Sequence, residues 1–355
     1  MAMVKLGDVA IEKRETWTGS TQGVPIVGLE HLVPGEITLS SWDSDTDNTF
    51  SKMFRKDQVL LGRRRVYLKK AVIAPFDGIC SGDITVIEAI PGKISSRLLP
   101  FIIQNERFFD YAMQGSAGSL SPRVKWEHLK DYEFNIPDYE EQESLANKLW
   151  SALKLKESYH SLLFATDEMV KSRFIEMFGN LESKKRLGDV ASYINGFAFK
   201  PSDWSSTGLP IIRIQNLTGT NEIYNYYNGD YPDQVEVNNG DILISWSATL
   251  GVYVWTEGKA LLNQHIFKVS FDKGYINRDY FIYAVTQKLD EMSTKTHGTT
   301  MRHIVKSDFD NTIIPFPSIE GQDRFALVAK QADKSKFELK QAIEKIDKVM
   351  RALLQ

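Results

Sequence analysis

A single cysteine, Cys80, stands among 355 residues, so no disulfide framework can hold the chain and a reducing compartment is expected. No stretch reaches the roughly 18 apolar residues of a membrane-spanning helix. The opening MAMVKLGDVA lacks the basic-then-apolar pattern of a secretory leader. A cytoplasmic protein with no membrane partner is expected. Catalytic apparatus is equally scarce. The absence of any Pro-Pro pair removes the Asn/Asp-Pro-Pro-aromatic loop with which amino-methyltransferases hold a target amine. No Gly-x-Gly cradle exists for a nucleotide or for S-adenosylmethionine. GVYVWTEGKA (251–260) imitates a phosphate-binding loop, but its spacing is too long and Ala260 replaces the hydroxyl that would hold Mg²⁺. WDSDTDN (42–48) opens like a calcium loop, yet Asn48 and Phe54 stand where that loop needs Gly and Glu. The six histidines show no metal-ligand spacing. No metal, no bound cofactor and no catalytic residue is expected: the chain reads as a recognition protein, not an enzyme.

Charge is nearly balanced. The net charge of −3 is unlike a strongly basic nucleic-acid binder. An average hides a patch, however: GRRRVYLKK (62–70) gathers Arg63, Arg64, Arg65, Lys69 and Lys70. Such a run serves either as a solvated edge strand or as a contact to phosphates.

What the chain does have is an internal repeat. KLGDVA (5–10) returns as RLGDVA (186–191), and GVPIVGLEHL (23–32) as GLPIIRIQNL (208–217). DQVLLG (57–62) matches GDILIS (240–245), and GDITVI (82–87) matches QHIFKV (264–269). GSLSPRVKWEHLKDYEFNIP (118–137) matches GTTMRHIVKSDFDNTIIPFP (298–317), and EEQE (140–143) answers EGQD (320–323). Matched positions stay 180 to 185 residues apart. Coincidence does not hold that order through six landmarks, so the chain is a duplication.

Each copy has two parts. Residues 1–137 and 184–317 mix short β-branched runs with Gly, Pro and Asn, which reads as α+β with mixed sheets and short helices. Residues 138–183 and 318–355 read as long helices entered after Pro137 and Pro317. In the second, Val328, Ala332, Ser335, Leu339, Ala342, Ile346, Val349 and Leu353 follow the 4-3 spacing of a coiled-coil seam. The central helix is looser: Leu145, Leu149, Ala152, Tyr159, Leu163, Val170 and Met177 hold its seam, while Lys156 and Thr166 interrupt it. The two helical segments carry net charges of −4 and +2, which suits antiparallel pairing with each other. Two homologous domains joined by a pair of helices, related by a pseudo-two-fold, are expected.

This order of domain, helix, domain, helix resembles the specificity subunits of type I restriction-modification systems. RLGDVASYINGFAFKPSDW (186–204), GRRRVYLKKAVIAPFDGICSGD (62–83), LLNQHIFKV (261–269) and HGTTMRHIVKSDFDNTIIPFPSIEGQ (297–322) carry the resemblance, which spans essentially the whole chain. Members of that family often have Pro where Val66 stands. The resemblance implies two target-recognition domains, each reading half of a bipartite site on double-stranded DNA. Their helices would set the gap and dock two modification (methyltransferase) subunits, with restriction (translocase and nuclease) subunits in some complexes. It also implies that S-adenosylmethionine, ATP and Mg²⁺ belong to those partners. A stand-alone bivalent DNA-binding or protein-scaffolding adaptor is the alternative.

The candidate DNA contacts follow from residue type and from the repeat. In the first copy they are Arg63, Arg64, Arg65, Tyr67, Lys69, Lys70 and Arg123; strand alternation would put Arg63 and Arg65 on one face, with either suited to guanine. In the second they are Arg213, Gln215 and Asn216 on the repeated Gly-x-Pro strand, and Ser245, Trp246 and Ser247, matching the arginine run. Thr299, Thr300, Arg302 and His303, matching the Gly/Ser loop, complete the set. Trp246 suits either a sugar or base contact or the core.

Overall fold

The structure is a computed structural model that describes residues 2–116, 122–295 and 304–354. It divides into two compact units, Met1–Tyr159 with Gln341–Gln355, and His160–Lys340. The repeated opening string folds identically in both. Leu6 and Val9, like Leu187 and Val190, form one helical turn with both apolar side chains buried. The glycine between them allows close approach: a Cβ on Gly7 would sit 2.9 Å from the Lys130 Cβ, and one on Gly188 3.1 Å from that of Asp310. Leu6 N–H donates to the Tyr132 carbonyl and Leu187 N–H to that of Thr312. LGDVA is therefore scaffold.

In the first unit a four-stranded antiparallel sheet runs in the order Ala10–Lys13, Ile84–Ala89, Val59–Gly62, Ala71–Ile73. The second unit repeats it as Ser192–Asn195, Ile266–Ser270, Ile242–Ser245, Gly251–Val254. The third strand of each is buried on both faces, and its period of two divides it between two cores. Val59 and Leu61 enter one core while Leu60 enters another with Val27, Phe54 and Cys80. Ile242 and Ile244 likewise separate from Leu243. A smaller mixed sheet covers the other side: Ile26–Val27, Gly78–Cys80 and Lys52–Phe54 in the first unit. The second unit has Leu209–Ile212, Ala260–Leu262 and Glu236–Val237, extended by an edge strand, Asn225–Tyr227. Burial pushes the Cys80 thiol up to about 12, so it is a small apolar core residue.

The two long helices are Tyr139–Phe178 and Ile319–Leu353. In the second unit they run antiparallel, since Asp167 meets Lys336 while Phe174 and Phe178, further along, meet Phe325. In the first unit Lys156 Nζ lies 2.6 Å from the Asp347 carboxylate. The complementary charges of the two segments are thus realised as cross-helix ion pairs.

The seam itself differs from the sequence pattern. Ala332, Leu339, Ile346 and Leu353 face inward as expected, but between them lie Ala329, Lys336, Ile343 and Met350. These displace Val328, Ser335, Ala342 and Val349 by one position; Ser335 is exposed and Val349 is 54% exposed. Both sets keep 4-3 spacing, so spacing cannot choose between them. Burial of Phe325, Ala329, Ala332 and Ile343 marks this seam, and Lys336, 25% exposed, fits it with its ammonium at Asp167 and Asp333. Lys156 and Thr166, apparent interruptions, are half-buried members of the central helix's inner face.

Candidate nucleic-acid interface

The strand Val59–Gly62 ends where the basic run begins. Gly62 packs closely there: a Cβ would sit 3.1 Å from the Leu29 side chain and 3.3 Å from the Lys70 Cβ. The next residues zip onto residues 122–124. Val124 N–H donates to the Arg63 carbonyl and Arg65 N–H to that of Pro122, both at 2.9 Å, with Arg64 bridged to Arg123. Two separate basic strings, RRR and PRVK, are thereby brought side by side. Asp83 lies between them, 2.8 Å from Arg123 Nε and 3.4 Å from Arg64 Nη1. Hydrogen bonding from Arg123 holds the Asp83 carboxyl below the usual carboxylate range.

The expected strand alternation through 63–65 is not what forms. Arg65 adopts a left-handed conformation (φ 53°) and starts a short 3₁₀ turn, Val66–Leu68, closed by Lys69, also left-handed. Val66 is the first residue of that turn, a position where Pro is accepted as readily. Arg63 and Arg65 therefore do not share a strand face. Arg63 is half-buried at a cavity of about 370 Å³ that Lys125 and Trp126 also line, whereas Arg65 and Tyr67 are exposed. Lys69 pairs with Glu106, and Lys70 Nζ donates to the Leu29 carbonyl at 2.7 Å. Those two lysines are tied to the protein itself.

In the second unit the strand Leu209–Ile212 stops before Arg213, and Ile214–Leu217 form a helical turn. Asn216 Oδ1 accepts the Arg213 N–H at 3.0 Å, and its Nδ2 donates to the carbonyls of Asn221 and Ile223. His31 makes the matching bond in the first unit, accepting the Gly28 N–H on Nδ1 at 2.9 Å. Asn216 is thus a turn cap rather than a side chain displayed from a strand. Arg213 Nη2 reaches the Ile223 carbonyl at 3.4 Å and its guanidinium lies over Trp204, while Gln215 is exposed.

Ser245 is fully buried and donates to the Thr249 carbonyl, so it has no surface to offer. Trp246 stacks on Phe267 at 5.5 Å between ring centroids and borders the core. Ser247 is half-buried. Thr299, Thr300, Arg302 and His303 lie outside the described residues. Lys125, Trp126 and Asp83 were not among the sequence candidates. The first two adjoin Arg123 in the repeated string, and the third follows the repeated Gly82, so only proximity in sequence pointed to them.

Among the described residues no helix is long and apolar enough to cross a membrane, and no group of three or more His, Cys, Asp or Glu could hold a metal. Residues 181–348 match the type I restriction modification DNA specificity domain. The chain is 26% identical over 174 residues to the type I restriction enzyme EcoBI specificity subunit of Escherichia coli, covering 47% of this chain and 36% of that protein. It is 24% identical over 122 residues to the MjaVIII specificity subunit of Methanocaldococcus jannaschii, covering 34% and 29%. The matched region thus spans about a third of the length of these curated relatives. Among solved structures, a chain from a study of assembly and conformational transition in a type I restriction-modification system superposes with TM-score 0.61 at 18% identity, covering 99% of this chain and 96% of that one. The S subunit from M. genitalium superposes with TM-score 0.59 at 13% identity, covering 99% and 94%. These likenesses establish the fold along the whole chain. The chain is thus similar to type I restriction-modification specificity subunits, with the DNA specificity domain matched over residues 181–348.

Proposed function

We propose that this chain reads DNA for a type I restriction-modification complex, each sheet domain recognising one half of a bipartite site. The observation that carries the reading is the seam between residues 63–65 and 122–124, which brings Arg63, Arg64, Arg65 and Arg123 into one neighbourhood although the strings are 60 residues apart. A net charge of −3 gives no general attraction to phosphate, so a local cluster has to supply it. In the second unit the Trp246 carbonyl accepts the Ile304 N–H at the matching place, so the two copies present different residues there, as two heads reading different half-sites require. Base-edge candidates are Arg63 in the first unit and Gln215 in the second; Arg64, Arg65, Tyr67 and Arg123 are positioned for the backbone. The chain itself is non-catalytic. Two modification subunits supply S-adenosylmethionine chemistry, and restriction subunits, where present, use ATP and Mg²⁺. The long helices set the gap between half-sites and dock the modification subunits. Large exposed apolar side chains on the helices of the second unit, Phe164 at 70% and Phe337 at 61%, support a protein contact there.

The test is selection of duplexes from a random-sequence pool by the full chain with its modification subunits. Enrichment of two short conserved blocks with a fixed gap is expected. Binding of the subunits with no enriched sequence would leave the scaffolding adaptor as the better reading.

A further inference from the structure

The cavity beside Arg63 has a counterpart at the matching place in the second unit. Arg63 N–H donates to the Asp83 carbonyl and its carbonyl accepts from Val124 N–H. Trp246 N–H donates to the His265 carbonyl and its carbonyl accepts from Ile304 N–H. Each residue follows the third strand of its sheet, so Arg63 and Trp246 are the same position in the two copies. Behind each lies a cavity, of about 370 Å³ in the first unit and about 260 Å³ in the second. Their walls differ in kind. Arg63 and Lys125 give way to Trp246 and Val305, and Arg14 to Asn195, while Lys306 stands where the first cavity has Trp126; the first cavity also carries Glu12, Glu15 and Glu127.

The cations of the first cavity are not equivalent. Arg14 is neutralised by Glu12 at 2.6 Å. Lys52 lies 3.7 Å from Glu12, and its Nζ donates to the Ile84 carbonyl at 2.8 Å. Arg63 Nε is buried with no hydrogen-bond partner among the described residues. Lys125 has no ion pair among them either. A buried guanidinium N–H without an acceptor is costly unless a ligand supplies one.

We propose that this cavity is the first domain's acceptor subsite, taking a pair of hydrogen-bond acceptors from DNA on the Arg63 guanidinium beside Lys125, and that the second domain has replaced those two cations with Trp246 and Val305, its remaining cation, Lys306, being paired with Asp310. The inference rests on the DNA-reading function proposed above. A guanidinium accepts two sources of that chemistry, the O6/N7 edge of guanine or the oxygens of a phosphate.

Duplex selection from a random pool by wild type, Arg63→Ala and Arg63→Lys, each as the full chain with its modification subunits, tests it. If wild type enriches no motif, the DNA-reading proposal fails and this inference falls with it. If wild type enriches two half-sites, a guanine contact predicts loss of about tenfold or more in preference at one base pair of one half-site for both variants. A phosphate contact predicts weaker binding to all sequences alike for Arg63→Ala, a salt slope shallower by about one, and recovery in Arg63→Lys. Loss of an entire half-site by Arg63→Ala would mark a misfolded domain; Arg63→Gln, which keeps the stem, is then read by the same criteria. Unchanged motif and affinity in a folded Arg63 variant would overturn the subsite.

Discussion

Gln142 ties the start of the central helix to the sheet domain: its Oε1 accepts the Ser95 N–H at 2.9 Å while its Nε2 donates to the Pro137 carbonyl at 3.0 Å. Gln322 does the same at the other helix, accepting from Asn277 at 2.8 Å and donating to Pro317 at 3.0 Å. Both glutamines are buried, 2% and 0% exposed. Gln142→Ala leaves the buried Ser95 N–H unpaired and Gln322→Ala the half-buried Asn277 N–H, so each is expected to cost about 1–3 kcal/mol. Urea unfolding followed by circular dichroism measures it, and a loss within 0.5 kcal/mol, roughly the range of an ordinary surface change, would contradict this role.

Asp83 holds two arginines of the proposed interface. Asp83→Asn is expected to weaken sequence discrimination and raise binding to unrelated DNA, because Arg123 is no longer held in place. The pH dependence has a definite sign. A carboxyl depressed in the folded state adds stability that is fully present above its unfolded value near 3.9 and is lost as pH falls through the lower folded value. The stability difference between wild type and Asp83→Asn should therefore stay constant from pH 8 to about pH 5 and shrink only below about pH 4. A difference that disappeared between pH 6 and pH 7 would assign it to another group.

Lys156 and Asp347 form a partly exposed cross-helix pair, at 28% and 36% side-chain exposure. Lys156→Glu is expected to destabilise by up to about 1 kcal/mol, and adding Asp347→Lys to restore most of it. Thermal unfolding of the single and double variants reads the coupling; additive losses would show that the pair contributes nothing.

Removing seven residues from each long helix keeps the seam in phase, since seven is the repeat of the 4-3 pattern. The expected outcome is a changed gap between half-sites with unchanged half-site sequences, read by sequencing the methylated sites of a host carrying the system. Altered half-sites with the same gap would refute the helices as spacers.

Much of the architecture was legible in the sequence. The LGDVA strings, the Gly-x-Pro strands and the Gln-containing helix starts are scaffold, and scaffold positions must meet the same packing and hydrogen-bond demands in both copies. Burial of Leu6 and Leu187, the matching strand orders and the paired roles of Gln142 and Gln322 express that constraint. Local pattern also placed both long helices and the complementary charge between them.

Tertiary structure alone decided which residues face which way. Heptad spacing allowed two seams differing by one residue, and the packing that buries Phe325, Ala329, Ala332 and Ile343 settled which is used. Alternation predicted a strand through Arg63–Arg65, but the backbone turns left-handed at Arg65 and sends Arg63 towards a cavity. Asn216, a candidate base contact, accepts the backbone N–H three residues before it, so its side chain is held in the turn. Periodicity is a property of one segment, whereas facing is settled by the neighbours that segment meets, and those come from distant parts of the chain.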